Sequence, residues 1–137
     1  MIARLLILSV FALAACTRTP FEPEDPLWGK QPCDHCRMLV SEPVPAAQAV
    51  LADGSRKHFD DVGCLAAFLR GRDRTGVLAW VRGPDGKTWV NAFTAQYGTG
   101  RRTPMDYGFL AEAEGISFAE LEHRVAEKTA RPLETLP

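Results

Sequence analysis

The chain has 137 residues, 46% of them hydrophobic and 24% charged, with a formal net charge of −1. That length suits one compact domain, and the balance is that of a globular protein, not of a disordered or fibrous one. Charges this evenly matched supply no basic field, so no nucleic acid is expected as a partner.

In chain order, Arg4 and the apolar run at 5–13 have the form of an export signal, too short to span a bilayer. The run ends Leu13-Ala14-Ala15-Cys16, which resembles a bacterial lipobox. The expectation is a signal peptide at 1–15, lipidation of Cys16, and an anchor on the periplasmic face of a bacterial membrane. Thr17, not Asp, after that Cys leans towards the outer membrane. Residues 16–32 then read as the lipidated Cys and a tether. Pro20, Pro23, Pro26 and Pro32, with Glu22, Glu24 and Asp25, leave little to bury and favour extended conformations.

The richest chemistry follows in Cys33-Asp34-His35-Cys36-Arg37-Met38. With Arg37 extended, Cys36 and Met38 would point to one side of a short strand continuing through Leu39-Val40. Two soft sulfur donors on one face suit Cu(I) better than a hard cation. The spacing also allows half of a zinc site completed by Cys64 and a His (His35 or His58), a redox Cys-x-x-Cys, or a plain disulfide. A redox motif would normally open a helix, and here Pro32 and Leu39-Val40 flank it. With Cys16 used by lipid, Cys33, Cys36 and Cys64 remain, an odd number that allows at most one internal disulfide.

Residues 46–52 and 55–59 flank Asp53-Gly54, a hairpin signal. Asp60 or Asp61 can cap a helix whose apolar face is Val62, Leu65, Ala66 and Leu69, with Gly71 as its stop. Cys64 falls in its first turn and reads as a buried apolar thiol. A second hairpin spans 77–82 and 87–93 around Gly83-Pro84-Asp85-Gly86, where Trp80 and Trp89 could pair across the strands. Residues 94–103 read as a polar loop, and 105–112 as holding another strand. Ser117 with Glu120 forms a capping box opening a helix to about 128, with Phe118, Leu121 and Val125 as its buried stripe. His123 falls outside that stripe.

The class is α+β. Two stretches, about 33–75 and 76–130, each offer a methionine segment, an Asp-Gly hairpin and a helix. They suggest two small homologous halves, each a short antiparallel sheet with one helix, that must pack or share strands to make a core. Met105, in Thr103-Pro104-Met105-Asp106-Tyr107-Gly108-Phe109, would add a third sulfur from the second half. No phosphate-binding, dinucleotide or hydrolytic motif is present, and no enzyme activity is expected.

Taken together, the lipobox Cys, Cys-x-x-Cys-x-Met-x-Val, Phe-Asp-Asp-x-x-Cys and Thr-Pro-Met-x-x-Gly-Phe resemble, in that order, the NosL family of copper-binding lipoproteins. The resemblance covers about 33–125. It implies a copper chaperone delivering Cu(I) to nitrous oxide reductase, particularly its copper–sulfide cluster. By motif, Cys36, Met38 and Met105 would be the ligands, with Cys33 nearby. Arg37 departs from the glycine usual in the family between the second Cys and the Met, and Asp106 departs from a Met-Gly pair.

Overall fold

The computed structural model describes Thr19 and residues 21–130; the expected export signal, the lipidation site Cys16 and the tail from 131 lie outside them. The described chain is α+β. Its elements are β1 (Ala47–Val50), β2 (Arg56–Phe59), α1 (Val62–Leu69), β3 (Leu78–Arg82), β4 (Trp89–Asn91), β5 (Gln96–Gly98), β6 (Leu110–Glu112) and α2 (Phe118–Ala130). An antiparallel sheet runs in the order β2-β1-β3-β4, and β5 pairs with β6 in a second sheet.

Turn chemistry places the hairpins where Asp-Gly puts them. Gly54 takes φ +81 and donates its N–H to the Leu51 carbonyl; Gly86 takes φ +67 and donates to the Gly83 carbonyl. A side chain at either position would be strained. Asp85 locks the second turn by accepting from the Lys87 and Thr88 amides.

β1 is the middle of the fold. It pairs with β2 on one side and β3 on the other, with Ala47 opposite both Phe59 and Val81, and it is buried along its length. Ala47 and Ala49, with Ala79 opposite Ala49, belong to the buried cluster that holds Leu65 and Leu69 of α1. Small side chains here let the helix approach the sheet. Burying each of these leucines contributes about 1.5–3 kcal/mol. α2 packs against α1 through its buried stripe of Phe118, Leu121 and Val125, and Ser117 Oγ accepts from the Glu120 amide at 3.3 Å. Among the described residues no helix is long and apolar enough to cross a membrane.

Several expectations need correction. The stretch read as a tether is docked on the sheet from Glu22 to Trp28. Fully buried Gln48 donates to the Glu24 carbonyl at 2.9 Å and accepts from its amide at 3.1 Å. Arg56 reaches the Glu22 carbonyl, and the buried Arg82 guanidinium pairs with Asp25 between the Trp28 and Trp89 rings. Distant polar side chains fix this segment in place. The two stretches share strands: β3 pairs with β1 across the expected boundary, since an isolated hairpin is marginal in water, and only the second stretch also has a sheet of its own, β5–β6. The loop at 94–103 contains β5, which exists by pairing with β6. The strand expected within 105–112 is there, as β6. Trp80 lies opposite Asn91 and Trp89 opposite Arg82, so the two tryptophans are not partners.

Candidate metal centre

Three segments converge at one end of α1. The first is the turn at 33–36. Its ends are pinned by the Cys33 amide donating to the Met38 carbonyl (2.7 Å) and the Arg37 amide donating to the Cys33 carbonyl (3.1 Å). A Pro32–Leu39 bridge and the bond from the Val40 amide to the Gln31 carbonyl close the loop behind it. The Asp34 amide donates to the His58 carbonyl and Asp34 Oδ2 accepts the His58 amide, both at 2.8 Å, which ties the turn to β2.

The second segment is the end of β2, where Phe59 leads into Asp60. The third is the first turn of α1. Asp61 is its N-cap and accepts from the Gly63 amide, which leaves Asp60 free to face inwards and puts Cys64 in the opening turn.

The result is a cluster of Cys33, Cys36, Asp60 and Cys64 whose ligand atoms all lie within 4.8 Å of one another, a group that could hold a metal ion. Cys33, Cys64 and Asp60 are buried and Cys36 is half-buried. Cys36 Sγ donates to Asp60 Oδ1 at 3.2 Å. Asp60 Oδ2 is buried with no hydrogen-bond partner. A buried acceptor without a donor is costly, and a cation held by the three sulfurs would satisfy it. The donor set fits a thiophilic cation.

Electrostatics point the same way. Cys33 accepts a hydrogen bond from Cys64 and is lowered to about 6, with backbone amides of Cys36, Asp60 and His35 also facing it. Cys64, donor in that bond and buried, is pushed well above the ordinary thiol range. Burial is the main cause that raises Cys36 to about 12. Three sulfurs and a carboxylate this close cannot all ionise unless a cation joins them.

Of the residues expected at the site, the cluster contains Cys33 and Cys36. Met38 is 49% exposed. Arg37 takes φ +71, so the chain is not extended there and the period-two alignment of Cys36 with Met38 does not form. Met38 instead lines a surface depression of about 570 Å³ together with Arg102, Thr103 and Pro104, the segment that leads to Met105. Met105 packs half-buried against the core, its amide donating to Asp61 Oδ2 at 3.2 Å. Both methionine segments thus flank the helix end that carries Cys64.

Neither histidine fills the fourth place. His35 is exposed; His58 is buried, its Nδ1 without a partner and its pKa lowered by burial, and Asp60 takes the position among the sulfurs. His123 is exposed and faces Glu127. Asp60 is the residue that sequence reasoning did not assign to the site, and Cys64 entered only through the zinc alternative, with a His where Asp60 stands. The available signal was the Asp-Asp pair: one carboxylate caps the helix, so the other has a different task.

No protein-family model matches the chain, and no curated protein or solved structure matches it either.

Proposed function

We propose that this chain is a metal-handling protein that carries Cu(I) on the Cys33–Cys36–Cys64 sulfurs and passes it to a copper apoenzyme. The observation that carries this reading is the four-donor group itself, with ligand atoms within 4.8 Å and a carboxylate oxygen left unpartnered. Thiolates are the donors that select Cu(I), and three of them satisfy its low coordination number. Cys36 alone among the three thiols reaches the surface, and the exposed thioether of Met38 is two residues on. A cargo site needs such an opening, whereas a closed cage would retain its metal. Met38 and Met105 are then outer donors for the hand-off. The motif resemblance supplies the client, nitrous oxide reductase, and the lipid anchor at Cys16 supplies a place for the exchange, the periplasmic face of a membrane.

Anaerobically purified protein should bind about one Cu(I) per chain. Cys36→Ser combined with Met38→Leu should weaken that binding; unchanged affinity would sink the site assignment.

A second reading is a zinc-stabilised binding module, favoured by the hard oxygen of Asp60, which completes four donors for tetrahedral Zn2+. A strong chelator should then unfold the protein, because structural zinc binding is coupled to folding. An intact melting temperature in chelator would count against it.

A further inference from the structure

We infer that Asp60 sets the metal selectivity of this centre, acting as a ligand to Zn2+ and as a bystander to Cu(I). The inference rests on the reading of the Cys33–Cys36–Cys64 cluster as a metal site. It adds a role for the one member that is not sulfur.

The donor chemistry divides the two ions. Zn2+ accepts carboxylate oxygen as well as thiolate and takes four ligands in its closed sites. Cu(I) prefers soft sulfur and is content with fewer donors. Three sulfurs and one oxygen within 4.8 Å give Zn2+ a complete tetrahedron and give Cu(I) a trio of sulfurs with a spare anion beside it. Charge balance points in the same direction. Three thiolates and a carboxylate around a divalent ion leave two negative charges in a buried site. Around a monovalent ion they leave three, and burying unbalanced charge is costly. Asp60 therefore adds a bond to Zn2+, whereas beside Cu(I) it gives no bond and its charge adds to thiolate charge that a monovalent ion compensates less well.

The geometry fits both roles. Oδ1 takes the Cys36 thiol at 3.2 Å, and Oδ2 is buried with no partner, so one oxygen is available to a cation without breaking a bond to the rest of the fold. Asp60 has no freedom to turn away. It is 1% exposed and sits between Phe59 at the end of β2 and the helix cap Asp61, both fully buried.

The test uses the full chain, made metal-free under anaerobic conditions and titrated with Zn2+ and with Cu(I) against competing chelators. Asp60→Asn keeps the shape and removes the charge. It should weaken Zn2+ by about 100-fold while Cu(I) affinity stays within about threefold or rises. Asp60→Cys, measured with Co2+ as the probe, guards against a folding defect in the first variant. Thiolate-to-cobalt charge-transfer intensity should rise by about one third over wild type as a fourth sulfur replaces oxygen. Equal losses for both metals in Asp60→Asn, or cobalt spectra that Asp60→Cys leaves unchanged, would overturn the role of Asp60 alone. A wild-type chain that takes up neither metal would overturn the site reading and this inference with it.

Discussion

Asp61 and Met105 are joined through a single carboxylate. Oδ1 accepts from the Gly63 amide at 2.8 Å and caps α1, while Oδ2 accepts from the Met105 amide at 3.2 Å. The side chain is fully buried, and burial is the main cause that raises its pKa. The same group therefore starts the helix that carries Cys64 and holds the second methionine segment against it. Asp61→Ala should lose the cap and strand a buried amide, costing about 2–3 kcal/mol in urea unfolding. Asp61→Asn, which can still cap, should cost about 1 kcal/mol. A loss below about 0.5 kcal/mol for the alanine variant would show that the Met105 segment is held by other contacts.

Gly63 lies against Tyr107 so closely that an added Cβ would stand 2.1 Å from Cγ of its ring. Alanine is the better helix former by about 1 kcal/mol, so an exposed helix would gain from Gly63→Ala. Here the clash decides. Tyr107 would have to leave the first turn of α1 and take the 103–109 segment with it, and overpacking of this kind costs about 1–3 kcal/mol. The variant should melt lower than wild type; a higher melting temperature would mean that Tyr107 moves aside freely.

Arg37 holds φ +71 without being glycine. The turn needs that conformation so that the Cys33 amide can reach the Met38 carbonyl, and a Cβ makes it strained. Arg37→Gly should raise stability by about 0.5–1 kcal/mol, the relieved strain exceeding the added flexibility of the unfolded chain. Because the backbone keeps its path, metal affinity should change by less than about twofold. A destabilised variant would mean that the Arg37 side chain makes contacts that matter more than its backbone.

What the sequence made legible was local. The Asp-Gly pairs at 53–54 and 85–86 located both hairpins, Asp61 and Ser117 opened both helices, and the stripe of Phe118, Leu121 and Val125 is buried as its spacing requires. These features depend on neighbours a few residues apart. What was not legible depends on distant partners. Cys64 is next to Cys33 only because the turn at 33–36 is tied to β2, and nothing in the composition of either segment reveals that bond. The Pro-rich stretch read as a free tether, but Gln48, Arg56 and Arg82 hold it from far along the chain. Arg37 misled by its identity: side-chain periodicity assumes a conformation that this residue does not adopt.

Metal uptake should release protons. In the metal-free centre Cys33 is lowered, while Cys36 and Cys64 are raised and keep their protons near neutral pH. A metal bound by all three sulfurs must displace those protons, so affinity rises with pH. Between pH 7 and 9 about two protons should leave per ion, and apparent affinity should rise about 100-fold per pH unit. Below the lowered Cys33 value the release should approach three. Calorimetric titration in buffers of different ionisation enthalpy counts them directly, and an affinity independent of pH would mean that fewer sulfurs bind.

Arg82 tests how firmly the segment before the sulfur cluster is held. Its side chain is 6% exposed, its guanidinium lies 4.1 Å from the Trp89 ring centroid and 5.3 Å from that of Trp28, and its carboxylate partner Asp25 is 57% exposed. Removing one partner of a fully buried pair typically costs about 3–5 kcal/mol, but solvent at Asp25 screens this one, and Asp25→Ala should cost about 1–2 kcal/mol. The Trp89 indole N–H loses its acceptor in the same step. Because Trp28 is held through Arg82, the variant should also loosen the chain around Lys30, and trypsin should cut there faster than in wild type. High salt should shift wild type towards the variant, since part of the attraction is screened. If Asp25→Ala changes neither the unfolding midpoint nor the rate of cleavage at Lys30, the segment is held by Gln48 and Arg56 on the sheet, and Arg82 is held by the two tryptophans and the Lys87 carbonyl without Asp25.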